Sequence, residues 1–199
     1  SEAVAVRLDK EAAEQLGLEA NIPIAAGCGD QAAQALAHGL IEEGKASVTI
    51  GSGGQVFLPL RSPVGMRNPA LHTFCHAHPE RWYCMGAMLS AGLSLRWFRD
   101  ILGIGERETD FAELSAAAAA TPAGADGLFF LPYLAGERSP IRDPTAKGAF
   151  IGLGLSHRTG HLVRSIMEGV CFSLKMITEI IEEGGRSPHL HLYDIDEMD

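Results

Sequence analysis

Residues 25–39, AAGCGDQAAQALAHG, set a single carboxylate, Asp30, behind an apolar run, beside glycines and at the head of an alanine-rich segment. One role for it is structural: an aspartate at a helix N-cap accepts backbone N–H bonds that have no intrahelical partner. The other is chemical. A carboxylate at the carboxyl end of a strand, with Gly27 and Gly29 keeping the backbone bare, faces a ligand cleft and takes a proton as general base. The two roles are compatible, because a cap also fixes the direction of the side chain.

A second candidate is the run Gly51-Ser52-Gly53-Gly54. Glycines let a backbone approach a ligand closely, so such a turn can offer several N–H groups and a hydroxyl to phosphate oxygens. A plain flexible hairpin turn explains the same residues, and the Gly-Lys-Ser/Thr ending of a P-loop is absent. His72, Cys75, His76 and His78 carry metal-competent atoms, but neighbours on a strand point to opposite faces and do not converge on one ion, nor does Cys75 with His76 make a catalytic dyad. Arg138, Arg142 and Asp143 in GERSPIRDP read as a polar loop that satisfies itself.

These residues need a scaffold, and the pattern supplies one. DKEAAEQLG predicts a short helix over 9–17 with a glycine stop, and IPIAAG a buried strand leading into the turn before Asp30. DQAAQALAHGL then predicts a helix, and ASVTIGSGGQVFLPL a β-hairpin with an open glycine-lined turn. LHTFCHAHPERWYCMGAML reads as a second hairpin turning at Pro79 and Glu80, and SAGLSLRWFRDIL as an amphipathic helix. A helix over 110–120 ends near Thr121 and Pro122, GLFFLPYL starts as a buried strand before a Pro- and Gly-punctuated loop, and the longest helix runs over 159–183. The last residues, GGRSPHLHLYDIDEMD, match no pattern before them.

The 199 residues, 46% of them hydrophobic, suit one layered α/β or α+β domain with an ordinary core. A formal net charge of −9, with Lys and Arg scattered, leaves no basic stripe for nucleic acid or anionic lipid. Cys28, Cys75, Cys84 and Cys171 have neither disulfide-framework nor paired CxxC spacing and read as reduced, mostly buried thiols. No apolar run has the length of a bilayer span and the opening residues are not signal-like, so a soluble, cytoplasmic protein is expected.

In register, GCGDQAA, TIGSGGQVF, FCHAHPERWYCMGAMLSAGLSLRWFRD, FLPYLAGERSPIRDPTAKGAFIGL and LVRSIMEGVCFSL resemble the FGGY family of carbohydrate kinases, and within it the kinases of xylulose. The likeness runs from about residue 9 to residue 181. It implies an α/β, RNase H-like domain of the sugar kinase, actin and Hsp70 superfamily, in which two such domains close over sugar and ATP. Only the carboxyl-terminal domain is matched, over 1–183, incomplete at its carboxyl end, with 184–199 a tail of unclear origin.

The resemblance further implies ATP-dependent phosphorylation of a sugar hydroxyl, D-xylulose to D-xylulose 5-phosphate, with Mg2+ accompanying ATP. Asp30 corresponds to the family's catalytic base and, with Gln31, to its sugar contacts. Gly51, Ser52 and Gly53 correspond to the phosphate hairpin. Gly92 and Arg96 match a stretch beside the nucleotide, Arg96 standing where glycerol kinase has glutamine. The expected partners are a pentulose, ATP, the missing amino-terminal kinase domain and, through an exposed apolar face, a second copy of the chain. Alone, the chain is expected to be inactive. A non-catalytic binding or assembly module that keeps the fold is the rival reading, and a metal-binding protein a third.

Overall fold

A computed structural model describes residues 4–63, 68–103, 108–184 and 189–192. The chain opens with β1 (Val4–Arg7), α1 (Lys10–Leu16) and β2 (Pro23–Ala25), then α2 (Asp30–Ala37). Two hairpins follow, β3 (Lys45–Ile50) with β4 (Gly54–Leu60) and β5 (His72–Cys75) with β6 (Trp82–Met88). The remainder is α3 (Gly92–Ile101), α4 (Glu108–Ala119), β7 (Phe129–Leu131), β8 (Ala149–Ile151), α5 (Thr159–Glu183) and β9 (His189–Leu192).

The central sheet has the order β5-β6-β4-β3-β9, antiparallel except where β9 joins β3 in parallel. Both faces of its middle are covered. Along β4, Val56, Leu58 and Leu60 turn to one side, where Val170, Leu174, Ile177 and Ile181 of α5 pack on them. Phe57, between them, turns to the other side with Tyr83, against Ala32 and Ala35 of α2 and against Leu40. That alternation is the two-residue period of a strand, and apolar contact on both sides explains why QVFLPL reads as one nearly continuous apolar run.

The inward residues of α5 recur at three- and four-residue steps, so one stripe serves two cores. Its first half places Val163 and Ile166 with Phe98 of α3, Leu114 and Ala118 of α4 and Phe130 of β7, and its second half lies on the sheet. Gly169 marks the crossing: a Cβ there would overlap the Phe130 carbonyl. α5 is thereby the beam that holds the sheet and the α3–α4 layer together.

Several expectations change. The strand expected to be buried before Asp30 is short, and all of β2 is exposed, as is its antiparallel partner β1; no sheet face lies over that ladder among the described residues. Phe129 in β7 is half exposed while Phe130 is buried. Cys28, Cys75 and Cys171 are exposed and only Cys84 is buried, because a loop, the edge strand β5 and the outer face of α5 carry the three. β1, β8 and β9 arise where the sequence shows no strand signal; β9 forms by lending its backbone to the open edge of β3. Among the described residues, no helix is long and apolar enough to cross a membrane.

His76 is buried after β5, its Nδ1 accepting the His78 N–H at 2.9 Å and its Nε2 facing the Leu40 carbonyl at 3.1 Å. An accepting Nδ1 leaves Nε2 to carry the proton, the neutral tautomer. Burial holds its pKa below the usual histidine value, with His78 and Arg81 acting the same way against the opposing Leu40 carbonyl.

Two outcomes follow from this packing. Gly169→Ala forces α5 off β7 and lowers stability by about 1–3 kcal/mol, read as a fall in Tm. Because the folded state disfavours protonated His76, its contribution is intact above pH 6.5, the unfolded value, and is lost as pH falls from there toward the lower folded pKa. Thermal melts across that window decline less steeply in His76→Asn than in the unsubstituted protein.

Candidate functional site

Asp30 is the first residue of α2, and the N-cap is Gly29, in extended conformation and without a side chain to bond. The cap expected at Asp30 therefore sits one residue earlier. The Asp30 carboxylate still accepts a first-turn donor, the Gln31 N–H at 2.8 Å, and its charge lies at the positive end of the helix. Gly27 enters the turn at a φ of 71°, the left-handed region glycine favours. Asp30 itself is exposed.

The next residue ties this helix to the hairpin. The Gln55 side-chain N–H donates to Gln31 Oε1 at 2.6 Å, and Gln55 is the second residue of β4, facing Thr49 on one side and Ala87 on the other. Tyr83 stands in the same neighbourhood, stacked on Phe57 at 4.4 Å between ring centres. Burial raises its pKa, and the charge of Asp30 adds to the rise.

Gly51, Ser52 and Gly53 form the β3–β4 turn, closed by the Gly51 N–H to the Gly53 carbonyl at 2.8 Å. The turn does not hang free. Its carbonyls receive the first N–H groups of α3: Gly92 donates to Gly51 at 2.9 Å, and Ala91 and Leu93 donate to Ser52 at 2.9 and 3.0 Å. A helix start has donors without intrahelical partners, and here the hairpin caps them, since no side chain does.

That capping orients the turn. In a trans peptide the C=O and the following N–H point in opposite directions, so with the Gly51 and Ser52 carbonyls drawn toward α3, the Ser52 and Gly53 N–H groups point away from it. Ser52 is exposed and Gly53 half-buried, and neither N–H donates to a backbone carbonyl among the described residues. The result is a small cluster of parallel donors suited to an anion.

The packing requires glycine at two places. A Cβ on Gly92 would lie 2.6 Å from the Gly51 carbonyl oxygen, and one on Gly53 would lie 2.7 Å from that of Met88. Gly92 thus belongs to the turn's support. Arg96, one helical turn further along α3, is exposed, and no hydrogen bond joins it to the turn among the described residues.

The structure sets Gly51, Ser52, Gly53 and Gly92 in one joint and links Asp30 and Gln31 to it through Gln55, while Arg96 stands apart; sequence reasoning missed Gln55, Tyr83 and Glu137. Gln55 had a signal, a lone amide opening an apolar strand beside the glycines. The buried Glu137 had none, lying in a charged loop that reads as solvated. Of the loop's other charged residues, Asp143 is satisfied locally, accepting from the Thr145 N–H and Oγ1 at 2.8 and 2.7 Å. Among the described residues, no group of three or more His, Cys, Asp or Glu side chains could hold a metal ion.

The model for the FGGY family of carbohydrate kinases, C-terminal domain, matches residues 46–193. Xylulose kinase from Escherichia coli (strain K12) is 36% identical over 178 residues, covering 89% of this chain and 36% of that protein. Gluconokinase from Bacillus subtilis (strain 168) is 34% identical over 172 residues, 82% of this chain and 33% of that protein. The crystal structure of xylulose kinase from Rhodospirillum rubrum superposes with a TM-score of 0.85 at 32% identity, covering 99% of this chain and 39% of the other. The chain spans about a third of the length of the curated relatives it matches.

The turn–helix joint is testable without any ligand. Gly92→Ala pushes Gly51 away and removes about 1–3 kcal/mol of local protection. Amide hydrogen exchange then accelerates at Ala91 and Leu93, while the β4–β6 ladder keeps its protection.

Proposed function

The chain belongs to the FGGY family of carbohydrate kinases, and we propose that it is part of the carboxyl-terminal domain of an enzyme that phosphorylates a sugar hydroxyl from ATP, with D-xylulose as substrate. The observation that carries this reading is the turn: the Ser52 and Gly53 N–H groups face outward because α3 holds the carbonyls behind them, and Asp30 is joined to the same hairpin through Gln31 and Gln55. A base and an anion cradle on one rigid support suit phosphoryl transfer, in which positioning and electrostatics do most of the work.

In this reading Asp30 orients the attacking hydroxyl and accepts its proton. An alcohol is a weak acid, so the transfer is late and the carboxylate's first contribution is alignment. Gln31, its carbonyl oxygen held by Gln55, turns its remaining amide N–H groups to sugar oxygens. Gly51, Ser52 and Gly53 cradle the phosphates, Gly92 lets the turn seat, and Arg96 adds a positive charge on the nucleotide side. ATP supplies the phosphoryl group, with Mg2+ accompanying it; the described residues include no cation cage, and Mg2+ has no assigned ligand in this chain.

The amino-terminal half of the enzyme closes over this surface. Val4, Val6 and Ile24, apolar yet exposed on the β1–β2 ladder, supply an apolar surface for it. Xylulose rests on the xylulose kinase relative, and the gluconokinase relative makes gluconate the comparison substrate.

The test is coupled ADP release by the full-length protein with D-xylulose, gluconate and glycerol. Turnover is greatest with xylulose, and Asp30→Asn lowers kcat by roughly 10²- to 10⁴-fold. Asp30 is exposed and asparagine keeps an acceptor for the Gln31 N–H, so the variant folds. Normal turnover by Asp30→Asn contradicts the assignment, and a preference for gluconate changes the substrate while leaving the chemistry.

A further inference from the structure

We propose that Glu137 is a positioning residue for the phosphate turn, holding the segment between β6 and α3 on which that turn is seated. The proposal rests on the phosphate-binding reading above. Glu137 is 2% exposed and lies 48 residues from the group it grips: its Oε1 accepts the Leu89 N–H at 2.9 Å, together with the Arg138 N–H at 2.8 Å. Burial raises its pKa above the usual carboxylate value, and the Arg138, Leu89 and Ser139 N–H groups and the Arg138 charge oppose that rise. A carboxylate is costly to bury, and such convergent N–H donors offset part of that cost.

The place of Leu89 gives the contact its meaning. The β4–β6 ladder ends at the pair Gly54 and Met88, so Leu89 carries the first N–H beyond the strand. Met88 presents its carbonyl to Gly53. Ser90 is fully buried, its carbonyl accepting the Ser94 hydroxyl at 2.7 Å. Ala91, Gly92 and Leu93 then deliver their N–H groups to the turn. Glu137 therefore anchors one end of a five-residue segment whose other end orients Ser52 and Gly53.

Glu137 is itself held. Its N–H donates to the Asp143 carbonyl at 2.8 Å, closing the loop in which it lies, and the Ser139 hydroxyl bonds the Ala70 carbonyl. Among the described residues Oε2 has no partner. One oxygen makes the contact to Leu89, so an uncharged amide oxygen can replace it. Shortening the side chain by one methylene draws that oxygen away from Leu89 while leaving it beside Arg138.

The experiment compares Glu137→Gln, Glu137→Asp and Glu137→Ala with the unsubstituted protein in full-length form, varying ATP and sugar separately. Glu137→Asp and Glu137→Ala raise the KM for ATP about tenfold and leave the sugar KM within about twofold, while Glu137→Gln stays near the starting values. A fall in kcat with both KM values unchanged marks loss of folded enzyme alone and overturns the proposal; so does a glutamine variant as impaired as the aspartate. Should alanine fail to fold, the aspartate and glutamine pair decides. Should the unsubstituted protein phosphorylate no sugar, the functional reading has failed, and amide exchange at Ala91, Gly92 and Leu93 judges Glu137 separately: faster in Glu137→Asp supports the brace, unchanged overturns it.

Discussion

The structure depends on a reciprocal cap. The first N–H groups of α3 have no partners in their own helix, and the Gly51 and Ser52 carbonyls of the glycine turn accept them. A helix start without partners carries a cost, and the turn removes it for α3. Joined, they fix a peptide orientation that a free glycine turn would sample only briefly.

The remaining elements hold that joint in place. β4 and β6 bring Gly53 against Met88, and α5 presses the sheet from one side while α2 closes the other. α2 in turn carries Asp30, and the Gln31–Gln55 bond makes its first turn move with the hairpin. In the proposed function a proton acceptor and an anion cradle thus share one backbone support, as a reaction that demands alignment requires.

Much of this was legible in the sequence because period and punctuation agree there. The α5 run shows its three- and four-residue steps from Val163 to Ile181, and Gly-Ser-Gly-Gly divides β3 from β4. Asp30 and the turn glycines stood out by type and spacing, and Gln31 through the family resemblance. What could not be read depends on partners distant in the chain. β9 is a strand because β3 has an open edge, Glu137 is buried because Leu89 needs an acceptor, and Cys75 is exposed because β5 is the edge strand of its sheet. The cap at Gly29 rather than Asp30 is a shift of one residue, decided by backbone conformation and not by residue type.

The central claim is that α3 holds the turn so that Ser52 and Gly53 offer their N–H groups to phosphate. Titrating the isotope-labelled full-length protein with ATP while following backbone amide resonances tests it most directly. The largest shifts are expected at Ser52 and Gly53, with Ala91, Gly92 and Leu93 remaining bonded and little changed. Shifts that bypass Ser52 and Gly53, or that break the α3 bonds on nucleotide binding, would contradict it.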